Sequence, residues 1–195
     1  MTTRVTSKTP PKRADARKNI AAILEAATAC LARDPDVSVN EIAKAAGVGR
    51  VTLYGHFESR AALVADVVER ALNESEETLA AVDLSGDPRD ALARLIDTTW
   101  QITHRYGALV VAAEETLTHD QMREAHQRPM ARVERLIKRG RREGVFRKDL
   151  PVGWMVSTVQ SVVHGASVAV HRGDITPAQA PHLIRETVLS AFAAQ

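Results

Sequence analysis

The ten residues from Ser38 to Gly47 constrain this chain more than any other stretch. Ser38 and Glu41 stand at the S-x-x-E spacing of a capping box, in which each side chain satisfies a backbone donor left free at a helix start. Val37 and Ile42 flank that cap as a hydrophobic staple. A short helix therefore begins at Val39, with Ile42, Ala43 and Ala46 recurring on one apolar face. Ala43 is small enough for a second helix to cross closely. Gly47 then supplies the left-handed conformation that ends a helix without steric cost. Val48 plugs the turn. Gly49 caps the next helix, though less well than Ser or Thr would.

That next helix is expected over Arg50 to Phe57. Leu53 and Phe57, one turn apart, face inward, and Arg50, Thr52, Tyr54, Gly55 and His56 are left facing a partner. Ser59 caps a third helix, whose stripe runs through Leu63, Val67 and Ala71. Helix, tight turn, helix and following helix make the layout of a helix-turn-helix DNA reader. The run Ile42-Ala43, Ala46-Gly47-Val48, Thr52-Leu53-Tyr54, His56-Phe57, Ser59 and Leu63 resembles, in register, the DNA-binding domain of TetR-family (tetracycline-repressor-like) transcriptional regulators. Three positions depart from that family's pattern. Gly49 replaces a Ser and removes a hydroxyl, Val51 replaces a Gly, and Arg60 replaces a Lys while keeping its charge. For Val51 two readings stay open: it meets a thymine methyl, or its bulk narrows the bases accepted.

The resemblance implies roles for these residues. The segment Arg50–His56 would lie in a major groove, with Arg50 forked onto a guanine and Thr52, Tyr54 and His56 on phosphates or base edges. Ser38, Lys44 and Arg60 would hold the DNA backbone.

Charge sits where such a role needs it. Residues 1–60 carry ten Lys/Arg against six Asp/Glu, whereas residues 61–195 carry sixteen against eighteen, so the formal charge of +2 hides a basic first half. The polar, Pro-containing start is expected to be a disordered arm over residues 1–13. Either it is an ordinary tail, or Arg4, Lys8, Lys12 and Arg13 reach the DNA. A reader domain over 14–58 and an effector and dimerisation domain over 59–195 follow, the helix from Ser59 to Ala81 bridging them.

An Ala-rich chain with 4 % aromatic residues and no strand signal reads as all-α. The count is about nine helices. One breaks at Gly107, a short apolar piece spans Ala108 to Leu117, and a long helix from Gln121 to Glu143 bends at Pro129. The single cysteine, Cys30, excludes an internal disulfide and reads as a buried small hydrophobe rather than a redox sensor. No stretch of about 18 apolar residues promises a membrane span, and the basic start lacks the apolar core of a secretory signal. A cytoplasmic protein is expected.

Beyond the reader, the segment Gly140 to Asp149 (GRREGVFRKD) resembles the same family's second domain, which extends the likeness over nearly the whole chain. Lys138, Arg139, Arg141 and Arg142 suit a helix C-terminus better than a second nucleic-acid site. The last two helices are apolar on more than one face. The resemblance implies a two-fold homodimer built on them, through Trp154, Val162, Gly165, Ala166, Ala169, Leu183, Val188 and Phe192. The middle helices would hold a small-molecule effector. Its candidate contacts are Trp100, Thr103, His104, Tyr106, Glu114, Glu115, Met122, His126, Met130, Gln160 and His164, although core packing also explains each apolar one and solvent exposure each Glu. Such a pocket fits a small, largely hydrophobic molecule, and a cationic one if a Glu points inward. Glu115, His119 and His126 could converge on a metal, but no Cys assists and the spacing crosses a loop, so neither metal nor cofactor is expected. No nucleophile elbow, phosphate loop or zinc-protease motif suggests an enzyme.

Overall fold

The computed structural model describes residues 11–114 and 119–194, apart from the side chains of 11–14, 108, 110–114 and 119–126. Within these residues the protein is all-α, with eight helices: α1 (Pro11–Leu31), α2 (Val39–Ala45), α3 (Arg50–Tyr54), α4 (Arg60–Ala80), α5 (Pro88–Glu114), α6 (His119–Arg142), α7 (Val152–Arg172) and α8 (Ala180–Phe192).

Two apolar cores organise them. The first gathers Ile23, Ala27 and Leu31 of α1, Ile42 and Ala43 of α2, Leu53 of α3, Phe57, and Leu63, Val64, Val67 and Val68 of α4. Tyr106 and Leu109 of α5 close it from the far side. The second joins Leu79 of α4, Leu92, Ile96 and Trp100 of α5, Leu136 and Ile137 of α6, Met155 and Val159 of α7, and Ile184, Val188 and Phe192 of α8. Helices α4 and α5 therefore each contribute to both cores, and α4 runs from the reader into the second. Cys30 is buried in the first.

Four expectations change. The helix expected to stop at Tyr106 runs on as α5 to Glu114, so Gly107 lies inside it and helices number eight among the described residues rather than nine. The helix continues through Gly107 because Tyr106 and Leu109 on either side of it are buried in the first core, and that packing outweighs the helix-propensity cost of one glycine. The recognition helix is shorter than expected, ending at Tyr54 with Gly55 as C-cap, while Phe57 still bonds back to the Leu53 carbonyl. The arm expected to reach residue 13 is shortened, because α1 begins at Pro11 and takes in Lys12 and Arg13; a proline suits a helix's first turn. Finally, α6 starts at His119 and continues through Pro129.

The second half is fastened at its loops by arginines. Arg94 donates to the Asp83 and Ser85 carbonyls, and Arg139 to those of Leu84 and Gly86, so both hold the α4–α5 connection. Arg141 donates to the Lys148 and Leu150 carbonyls. The cations at the end of α6 thus bind loop carbonyls, beyond favouring the helix dipole. Gly144, at φ 76°, turns the chain after α6 so that Phe146 folds back onto Gly140 and meets Phe192 edge-on.

Candidate nucleic-acid interface

The reader is built from its caps outward. The Ser38 backbone N–H donates to Glu41 Oε2 at 3.0 Å, and Ser38 Oγ accepts from the Glu41 N–H at 3.3 Å, which completes the capping box. The Ser38 hydroxyl also donates to Glu41 Oε2 at 2.6 Å. These bonds from the hydroxyl and the backbone N–H hold the Glu41 carboxyl below its ordinary value. Gly47 sits at φ 68°, a conformation an L side chain rarely adopts, and Val48 N–H closes the turn onto the Ala43 carbonyl. Gly49 caps α3 in an extended conformation without any side-chain bond.

Leu53 and Phe57, both buried, anchor α3 from below. Arg50, Val51, Thr52 and Tyr54 therefore stand outward on a rigid support. The Arg50 guanidinium lies over the Tyr54 ring, 5.4 Å from its centroid, one turn along the same helix. His56 is half-buried at the helix end. Lys44 and Ser38 are exposed on α2 and its cap, and Ser59 caps α4 by accepting the Ala62 N–H.

Two of the expected backbone holders already have partners. The Ser38 hydroxyl serves the cap. Arg60 donates to the Pro35 carbonyl and so ties the start of α4 to the α1–α2 connection. Lys44, Gly49, Arg50, Val51, Thr52 and Tyr54 remain as an open, polar and basic face.

The expected effector residues do not assemble as one set. Trp100 is buried in the second core and stacks on the exposed His104 ring at 5.6 Å. Tyr106 is buried in the first core, its hydroxyl donating to Glu74 Oε2 at 2.8 Å, so it serves the α4–α5 contact. Thr103 and Met130 are half-buried. Gln160 and His164 lie on the exposed face of α7, together with Trp154 and Gly165, rather than in the interior. Glu115 and the side chains of Glu114, Met122, His119 and His126 fall outside the described residues.

The expected dimer residues divide as well. Trp154 is 64 % exposed and Leu183 42 % exposed; Gly165 is exposed, and Val162, Ala166 and Ala169 are half-buried. Val188 and Phe192 are buried in the chain's own core, so they are packing residues and not interface residues. On an amphipathic helix apolar on two sides, sequence alone does not say which side the chain itself covers.

Sequence reasoning missed the ties that hold the bridging helix. Arg132 of α6 grips both carboxylate oxygens of Glu76, with 2.9 Å for the Nη1–Oε2 bond. Glu74 takes Arg70 Nε at 2.8 Å as well as the Tyr106 hydroxyl. Arg70 first and then Tyr106 lower the Glu74 carboxyl; Arg132 lowers that of Glu76. Burial, and then the bond to Glu74, raise the Tyr106 phenol. Partners 32 and 56 residues apart leave no local signal.

Residues 23–67 match the family described as bacterial regulatory proteins, tetR family, a span covering α2, α3 and the caps. The HTH-type transcriptional regulator NfxB of Pseudomonas aeruginosa is 24 % identical over 171 residues, which is 86 % of this chain and 90 % of that protein. A Saccharomonospora viridis protein solved in complex with choline shares the fold at a TM-score of 0.81 and 19 % identity, over 92 % of this chain and 100 % of that one. A TetR-family regulator from Agrobacterium tumefaciens does so at 0.77 and 19 %, over the same shares. The ketosteroid transcriptional regulator KstR2 of Mycobacterium tuberculosis does so at 0.69 and 20 %, over 98 % and 100 %. The matched segment coincides with the capped helix-turn-helix and its outward basic face, so residues 23–67 form a DNA-binding domain of the tetR family of bacterial regulatory proteins.

Proposed function

We propose that the protein is a one-component repressor that binds a pseudo-palindromic operator as a two-fold homodimer and leaves it when a small, largely hydrophobic molecule binds the second domain. The observation that carries this reading is the outward Arg50–Tyr54 face, held rigid by buried Leu53 and Phe57 behind a glycine turn. Arg50 forks onto guanine O6 and N7, and Thr52, Tyr54 and His56 contact phosphates or neighbouring base edges. Lys44 neutralises the DNA backbone, and Lys12 and Arg13, in the first turn of α1, extend the same basic half of the chain. Two readers related by a two-fold axis match two half-sites one helical turn apart.

Effector control acts through α4, which enters both cores. A ligand among the middle helices shifts the spacing of the readers only if it binds the two states with different affinity, and about 1–3 kcal/mol of coupling is typical. The choline in the Saccharomonospora viridis protein favours a cationic version of this ligand. A thermal-shift series pairing choline with a neutral molecule of the same shape decides between the versions, and equal shifts would exclude the cationic one.

The test of the main reading is a gel shift of the purified protein against the intergenic DNA beside its own gene, at rising salt and with Arg50→Ala. A dimer-sized, sequence-specific shift weakened about tenfold or more by the substitution is expected. Weak, salt-erased binding that the substitution leaves unchanged, there and on wider genomic fragments, would overturn it.

A further inference from the structure

Val51 is the most exposed large apolar side chain among the described residues, at 87 %. It stands between Arg50 and Thr52, on the outward face of α3, where both neighbours offer hydrogen-bonding groups and the surroundings are basic. Nothing in the chain accounts for its identity. A β-branched residue lowers helix propensity in a five-residue helix, and no packing contact repays that. Its isopropyl group is held in place only by a backbone that Leu53 and Phe57 anchor from the opposite side.

We infer that Val51 is a specificity-determining residue that reads the C5-methyl group of a thymine in each half-site. The inference rests on the operator-binding reading and deepens it. The major-groove edges of the four base pairs present hydrogen-bond donors and acceptors throughout, and the thymine methyl is their one apolar patch. An aliphatic side chain pressed against any other base edge would desolvate a polar group without replacing its bond, which costs free energy. Against the methyl, the same side chain buries apolar area on both partners. The residue thus sets the composition of the half-site at a position where a glycine would be indifferent.

The experiment removes the methyl and nothing else. Duplexes carrying the preferred site are selected from a random pool with the wild-type protein. Each thymine of the selected site is then replaced singly by deoxyuridine, and dissociation constants are measured for the wild type and for Val51→Ala. At one thymine per half-site, deoxyuridine is expected to weaken the wild type about fourfold, the worth of one buried methyl. Val51→Ala is expected to bind the thymine and deoxyuridine duplexes equally. A melting temperature for Val51→Ala equal to the wild type's or slightly above it, as the better helix propensity of Ala predicts, shows that the fold is intact. The inference fails if the wild type ignores deoxyuridine at every position, or if Val51→Ala keeps the full preference for thymine. If the pool yields no enriched sequence, the operator-binding reading fails and takes this one with it.

Discussion

At Gly140 a missing side chain is the structural requirement. A Cβ built there would fall 2.2 Å from Phe146 Cδ2 and 2.5 Å from Cε2, so the ring could not stay in place. Phe146 cannot yield cheaply, because it is 1 % exposed and set edge-on to Phe192. Gly140→Ala should therefore cost about 2 kcal/mol, the range of an overpacked core, despite Ala's better helix propensity. Urea unfolding of the purified variant reads this directly; stability equal to wild type would mean that the ring has another place to go. A second residue-scale prediction concerns Asp149. Its carboxyl is brought down to about 2 by the side-chain bonds from Arg147. The folded value lies below the ordinary one, so this pair stabilises the fold above about pH 4 and ceases to do so as pH falls towards 2. The pair is exposed and its contribution modest. A carboxyl-carbon NMR titration should place the Asp149 midpoint near 2, and Arg147→Ala should return it to the usual carboxylate range.

Among the elements, α4 has to be both fastened and adjustable. It is tied to α6 by Arg132–Glu76 and to α5 by Tyr106–Glu74, two residues apart on one helix. Tyr106→Phe removes one hydrogen bond to a carboxylate. Because Glu74 is 39 % exposed, the loss is discounted for solvent to about 1 kcal/mol. Arg132→Ala should cost about as much, the Glu76 side chain being 28 % exposed and able to turn to water. Both carboxyls are lowered from 4.5 in the folded protein, so these ties are complete above that value and weaken as pH falls below it. Protection factors of the α4 amides, corrected for the slower intrinsic exchange in acid, should fall in either variant at pH 7, and in the wild type at pH 4. Protection in α4 that matches the rest of the second domain in all three cases would refute the idea that these ties fasten it.

The same scale shows what the sequence made legible. Helix starts set by local chemistry were readable: the Ser38 capping box, the Gly47 turn, Gly49 and Ser59 all stand where their side chains or their absence require. So was the burial of Leu53 and Phe57, because helical spacing encodes it. What depended on distant partners was not. Gly107 looked like a break because the packing that carries α5 through it, Tyr106 and Leu109 against the first core, comes from other helices. Tyr106 looked like a ligand contact because its hydroxyl partner sits on α4. Arg60 looked free for DNA because the Pro35 carbonyl it binds is on another connection.

For the whole molecule, the surface left apolar by the chain's own packing decides assembly. Once Val188 and Phe192 are assigned to the core, the exposed apolar side chains of α7 and α8 are Trp154, Val168 and Leu183, with Gly165 and half-buried Val162, Ala166 and Ala169 leaving room for close helix approach. A second copy related by a two-fold axis would cover them and bring two readers to one operator. Trp154 is 64 % exposed, so Trp154→Glu should leave the fold of the single chain unharmed while placing a charge where an apolar contact is needed. Sedimentation equilibrium should then show a dimer for the wild type and a monomer for the variant. Affinity for the full operator should fall by about a hundredfold or more, because the second half-site is no longer bound intramolecularly, while the affinity for an isolated half-site stays the same. If Trp154→Glu and Leu183→Glu both kept the dimer mass and the full-operator affinity, the two-fold contact would have to lie on another face. If Trp154→Glu lost half-site binding too, it would have damaged the reader itself and the assembly argument would be lost with it.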